Sequence, residues 1–105
     1  MIKILLACNA GMSTSLLVTR MEKAAQEKDL EVEIKAVGVT EAERILQDWN
    51  IVLLGPQVRH HIKMLTDHAE NKLPVKVIDM RDYGLMNGEK VLQDALDTIE
   101  QFNSK

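Results

Sequence analysis

Four short apolar runs, each followed by a segment with helical spacing, constrain this chain more than any other feature of its sequence. The runs are Met1–Ala7, Glu31–Val37, Ile51–Leu54 and Val75–Asp79. After the first, Leu17, Met21, Ala24 and Ala25 recur at i, i+4, i+7 and i+8. That spacing predicts a helix from Leu16 to about Lys28 with one apolar face, leaving Arg20, Lys23 and Glu27 outside. After the second, Thr40-Glu41-Ala42-Glu43 matches a capping box, with Thr40 as N-cap and Glu43 at N3. It opens a short helix lined by Ala42, Ile45, Leu46 and Trp49. Val58, Ile62, Leu65 and Ala69 predict a third helix that ends near Asn71, with Pro74 just beyond. Arg81–Gly88 reads as a loop, and Leu92, Ala95, Leu96 and Ile99 line a last helix with Phe102 near its end. At 105 residues the chain has room for one core, so residues 1–105 are expected to form a single domain.

Strands that alternate with helices imply an α/β fold, an open parallel sheet with helices on both faces joined by right-handed crossovers. The first run is nearly continuous in Ile2, Ile4, Leu5 and Leu6, as a strand covered on both faces would be. The second alternates polar and apolar residues, the pattern of an edge. Placing the first strand inside gives the order 2-1-3-4. In such sheets a ligand sits outside the C-terminal strand ends, where the strand order reverses. Here that point lies between strands 1 and 3, so Cys8 and the Gly55-Pro56-Gln57 turn are expected to share one crevice.

Cys8-Asn9-Ala10-Gly11-Met12-Ser13-Thr14-Ser15 occupies the junction between the first strand and the first helix. Asn9 and Gly11 are turn residues, and Ser13, Thr14 and Ser15 are N-cap candidates. A small-residue loop that opens a helix turns backbone N–H groups toward one point, where the helix's first N–H groups also lack partners. Such a junction favours an anion, whether a cysteine thiolate or a phosphate attached to its sulfur. The thiolate is the reactive form of cysteine, and Cys8 is the only cysteine in the chain. The plain alternative is a small buried apolar residue beside a strand, for which cysteine is also well suited. A core cysteine, however, has no need of the loop that follows it.

This loop, set directly after a first strand, resembles the phosphorylation loop of the enzyme IIB component of bacterial sugar phosphotransferase systems, in the lactose/cellobiose/chitobiose class. Chain length, strand–helix alternation, the Gly55-Pro56-Gln57 turn and the Tyr83-Gly84…Asn87-Gly88 segment share the likeness. The resemblance implies a phosphocysteine carrier. Cys8 would receive a phosphoryl group from a phosphohistidine of the IIA component. It would pass the group to a sugar, such as cellobiose, chitobiose or lactose, imported by the membrane-embedded IIC component. Asn9, Ala10, Gly11, Met12, Ser13, Thr14 and Ser15 would form the phosphate-binding loop, with Gln57, Arg59 and Tyr83 at its rim. To serve two partners in turn, the sulfur is expected to lie in a shallow surface crevice.

Two other readings share the architecture. Low-molecular-weight tyrosine phosphatases carry a C-x5-R-[ST] loop, but the residue after five intervening positions here is Thr14. Without a guanidinium to clamp the phosphoryl oxygens, the loop is poorly equipped to drive attack by water. Asp79 and Asp82 follow the fourth strand, where such phosphatases keep a general acid; the competing role is loop capping. A flavodoxin-like binding module is the third reading, disfavoured by the small number of flat rings. His60, His61 and His68 invite a metal, yet adjacent helical residues point about 100° apart, and no zinc-type spacing occurs. Solvated helix histidines are the expectation, and neither a metal nor a cofactor is implied. Arg59 could lend charge to a phosphate, meet a partner or be simple surface charge.

The remaining constraints are negative. A net charge of −3 with 3% aromatic residues argues against nucleic acid. No apolar run approaches the roughly 20 residues that span a bilayer, so direct membrane insertion is not expected. A lone cysteine suits a reducing compartment, and the cytoplasm is the expected location.

Overall fold

The computed structural model describes residues 1–9 and 13–104, with Ser13 described in its backbone alone. Its elements run β1 (Ile2–Cys8), α1 (Ser13–Glu27), β2 (Val32–Gly38), α2 (Val39–Ile45), β3 (Ile51–Leu54), α3 (Ile62–Ala69), β4 (Val75–Val77), α4 (Met80–Gly84) and α5 (Gly88–Asn103). Two 3-10 turns, Leu46–Asp48 and Pro56–His61, follow α2 and β3. The strands form one parallel sheet in the order β2-β1-β3-β4, as the patterning requires.

β1 is interior, and its continuous apolar run is divided between two cores. Ile4 and Leu6 face α1 and α5, packing with Leu17, Met21, Ala24, Ala25, Leu92 and Ala95. Leu5 and Ala7 face the other way, with Ala42, Leu46, Trp49, Val58, Leu65 and Ala69. Each fully buried Leu or Ile stabilises the fold by about 1.5–3 kcal/mol, so β1 anchors both layers. Trp49 is a core residue, with the Lys3 ammonium 4.9 Å from its ring centroid. α1 and α5 meet very closely at Gly88. A Cβ placed there would lie 2.5 Å from the Arg20 carbonyl carbon and 2.6 Å from the Met21 nitrogen.

Several local expectations are corrected. α1 begins at Ser13, not Leu16, so Ser13, Thr14 and Ser15 belong to its first turn rather than to a loop. The capping box does not form. β2 runs straight into α2, Gly38 is the N-cap residue, and no side chain caps the helix. α2 then tightens into its 3-10 turn before Trp49, leaving Ile45 only partly buried. The third helix starts late, because Val58 leaves helical geometry at φ −116° and ψ 20°. Ile62 is consequently 37% exposed, outside the apolar face that Leu65 and Ala69 still form. α3 stops at Ala69, with Glu70 and Asn71 both at positive φ. β4 ends at Val77, two residues early, and part of the predicted 81–88 loop is the helix α4. Val91 joins the buried face of α5, while Leu96 and Ile99 are half-buried.

Candidate functional site

Cys8 is the last residue of β1 and pairs in register with Gly38, the last residue of β2. The next strand ends beside it, since Gly55 N–H donates to the Ala7 carbonyl at 2.9 Å. Gly55 faces the cysteine closely. A Cβ there would lie 3.4 Å from Cys8 Cβ, 3.0 Å from Gln57 Oε1 and 3.8 Å from Tyr83 Cε1. The turn after β3 and α4 thus converge with Cys8 at the reversal point of the sheet, as the strand order predicts. Gln57 and Tyr83 are brought to the site. Tyr83 is not a surface rim residue, however; at 8% exposure it belongs to the core on the α1/α5 face.

The sulfur has two polar neighbours. Thr14 Oγ1 lies 3.1 Å from Cys8 Sγ, and the Val37 carbonyl oxygen lies 3.7 Å away. The carbonyl can only accept, so that contact uses the thiol proton, whereas between Cys8 and Thr14 either group can be the donor. Thr14 is 2% exposed, the one buried polar side chain among the described residues. Its burial follows from its place in the first turn of α1, directly over the end of β1. Cys8 is itself only 6% exposed, deeper than the shallow crevice expected from the sequence. Asn9 and Ser15 are exposed, and α1 carries no acidic residue in its first turn. Ala10, Gly11 and Met12, assigned to the phosphate loop from the sequence, lie outside the described residues.

Other candidates are drawn elsewhere. Arg59 sits in the 3-10 turn, and its guanidinium donates to the Pro56 carbonyl at 3.0 Å. The Asp79 carboxylate caps α4, accepting from the Arg81 and Asp82 N–H groups at 2.9 and 3.1 Å. Asp82 approaches Lys90 at 4.0 Å. The Lys90 ammonium is held above its usual pKa, first by its hydrogen bond to Asp94, then by the charges of Asp94, Asp82 and Asp79. A cavity of about 210 Å³ beside β4 is lined by Lys76, Asp79, Asp82 and Asp94 with Leu53 and Val91. Three carboxylates make it a poor place for a phosphate.

The histidines also differ from expectation. His60 and His61 lie in the 3-10 turn, not in an α-helix, and their rings meet with centroids 4.2 Å apart. His68 is not simply solvated, because it joins α3 to α2. Its Nε2 lies 2.9 Å from Glu43 Oε1 and its Nδ1 2.9 Å from the Met64 carbonyl. Among the described residues no cluster of His, Cys, Asp and Glu is arranged to hold a metal. Sequence reasoning missed the Thr14–Cys8 pair and the Val37 carbonyl. The first had a signal, in a hydroxyl residue set within the first turn of the helix that follows the cysteine; the second is backbone and had none.

A parallel sheet of this order, with one cysteine ending its central strand at the start of a helix, defines a compact class of α/β proteins. Comparison with known proteins names it further. The family profile described as "PTS system, Lactose/Cellobiose specific IIB subunit" matches residues 3–94. The chain is 45% identical, over 90% of its length and 92% of the relative's, to the oligo-beta-mannoside-specific EIIB component of the PTS system of Bacillus subtilis (strain 168). It is 44% identical to the galactose-specific EIIB component of Lactococcus lactis subsp. cremoris (strain MG1363), over 88% of this chain and 91% of that one. The solution structure of the cellobiose-specific phosphotransferase IIB component protein from Borrelia burgdorferi superposes with a TM-score of 0.79. It is 42% identical, over 95% of this chain and 93% of that one. The chain belongs to the lactose/cellobiose-specific IIB family. It is a sugar phosphotransferase component.

Proposed function

We propose that this chain is a phosphocysteine carrier acting as one domain in the cytoplasm. Cys8 accepts a phosphoryl group from a phosphohistidine of a IIA component and passes it to a sugar bound by a IIC component. The observation that carries the reading is the position of Cys8: it ends an interior strand, beside a buried hydroxyl from a helix whose first turn carries no acidic residue. Asn9 to Met12 and the first turn of α1, Ser13 to Ser15, supply the phosphate-binding segment, and Gln57 and Tyr83 close the side nearest Gly55. Arg59 is left as a docking charge on the neighbouring turn.

The sugar is proposed as a β-linked disaccharide only as a class. Relatives at 45% and 44% identity are named for oligo-beta-mannoside and galactose, and one at 42% for cellobiose. Overall identity at this level does not separate the sugars. The hydrolase reading is weakened by two features: Thr14 stands where a phosphatase carries arginine, and the Asp79 carboxylate is engaged by α4.

The test is intact-mass analysis after incubation with phosphorylated IIA. The wild type gains one phosphate, mapped to Cys8, and Cys8→Ser gains none while keeping its circular dichroism. Phosphate mapped to His60, His61 or His68 would end the reading.

A further inference from the structure

We propose that the Thr14 hydroxyl is a catalytic group of this site, a hydrogen-bond donor that holds the negative charge on Cys8 sulfur whenever the S–P bond forms or breaks. The proposal rests on the phosphocysteine reading above and gives Thr14 a role distinct from binding phosphate oxygens.

The sulfur lies between one atom that can only accept, the Val37 carbonyl at 3.7 Å, and one that can donate, Thr14 Oγ1 at 3.1 Å. In the resting thiol either Cys8 or Thr14 can donate across the 3.1 Å contact, but a thiolate can only accept, so there Thr14 must be the donor. When the thiol proton leaves, the carbonyl contact loses its hydrogen and sets an oxygen lone pair against an anion. The hydroxyl contact gains, because a donor to a charged acceptor forms a stronger bond than a donor to a neutral one. The two neighbours therefore act in opposite senses, and only Thr14 favours the thiolate. At 2% exposure its hydroxyl is screened from water, so a new partner for the sulfur cannot easily replace it.

In charging, sulfur attacks the phosphorus of a phosphohistidine; the S–P bond forms, the N–P bond breaks, and its electron pair returns to the imidazole nitrogen. That nitrogen takes up, net, the proton the thiol gave up. In discharge a sugar hydroxyl oxygen attacks phosphorus and the S–P electron pair returns to sulfur. The hydroxyl proton ends, net, on the sulfur by way of solvent. Thr14 keeps its own proton throughout and donates its hydrogen bond in both directions.

The test compares Thr14→Val, which keeps shape and removes the donor, with Thr14→Ser, which keeps the donor. Thr14→Ala serves as a second donor-free variant should the valine fail to fold. Two measurements are made on each: the rate of phosphoryl transfer from phosphorylated IIA, and the ultraviolet absorbance of the thiolate at one fixed pH alkaline enough to ionise part of the wild-type thiol, clean here because the chain has one cysteine. The donor-free variants should transfer roughly tenfold to a hundredfold more slowly and show less thiolate, with serine recovering most of both. Valine or alanine at wild-type rate and absorbance would overturn the proposal, as would serine no better than valine. Should the wild type take no phosphate at all, the carrier reading fails by itself. The absorbance comparison then still judges Thr14, a donor-dependent signal supporting its role and an indifferent one rejecting it.

Discussion

Two strand-to-helix junctions at the same end of the sheet have been given opposite chemistry. At the β4–α4 junction the Asp79 carboxylate occupies the helix start, taking the Arg81 and Asp82 N–H groups. Asp82 adds a second charge, and Lys90 leans in to answer them. At the β1–α1 junction the first turn of the helix carries no acid, and a neutral hydroxyl lies 3.1 Å from the cysteine sulfur. A helix start favours an anion wherever it occurs. One junction has an anion of its own built in, and the first helical turn of the other has none. On the carrier reading proposed above, charge more than shape decides which strand end takes the phosphate.

The sharpest way to break this comparison is to give the first junction the charge of the second. Ser15 is exposed in the first turn of α1, so Ser15→Asp should not disturb packing. Its carboxylate should stabilise the helix by about 0.3–1 kcal/mol while slowing phosphoryl transfer roughly tenfold through repulsion of the incoming dianion. Thermal unfolding and transfer kinetics on one preparation check both signs. Unchanged transfer would show that the local charge does not govern the site. The converse change removes the charge from the second junction. Asp79→Ala should cost about 0.5–2 kcal/mol, the usual loss of a helix cap, yet leave transfer from IIA within about twofold and p-nitrophenyl phosphate turnover negligible. Turnover that depends on both Cys8 and Asp79 would instead favour the hydrolase.

The smallest effect is expected at Lys90. Its folded-state pKa is raised, by the Asp94 hydrogen bond first, so its contribution is present below the usual lysine value of 10.5 and is lost as pH rises through the higher folded value. At neutral pH Lys90→Gln should lower the unfolding midpoint only slightly, as an exposed pair does. The gap between mutant and wild type should close only at strongly alkaline pH. A large loss at neutral pH would mean that the acidic junction depends on this one cation.

The sequence carried the architecture because its signal was redundant. Four strands and the buried face of α1 follow from periodicity alone, and the interior place of β1 from an apolar run with no polar interruption. Cys8 and its crevice with Gly55 then follow from strand order. What stayed hidden was set by backbone geometry that side-chain pattern does not encode. α4 is five residues ending in glycine, and its composition is that of a turn. Thr40 failed as a cap because β2 continues to Gly38, which takes the capping position first. His60 and His61 meet because the chain is tightened into a 3-10 turn, where α-helical spacing misplaces every side chain. The depth of Cys8 could not be read either, since a strand end looks the same in sequence whether open or covered.

The close meeting of α1 and α5 bears on when the site exists at all. α1 presents its backbone to Gly88, and the Arg20 guanidinium ties it to the Met86 carbonyl, 66 residues further along the chain. The helix that starts at the cysteine junction is therefore held in place by a segment synthesised long after it. A ribosome-bound chain that has emerged only through β3 has its cysteine but not the support beneath α1. On the carrier reading proposed above, newly made chains should thus stay silent toward a phosphoryl donor until α5 is out.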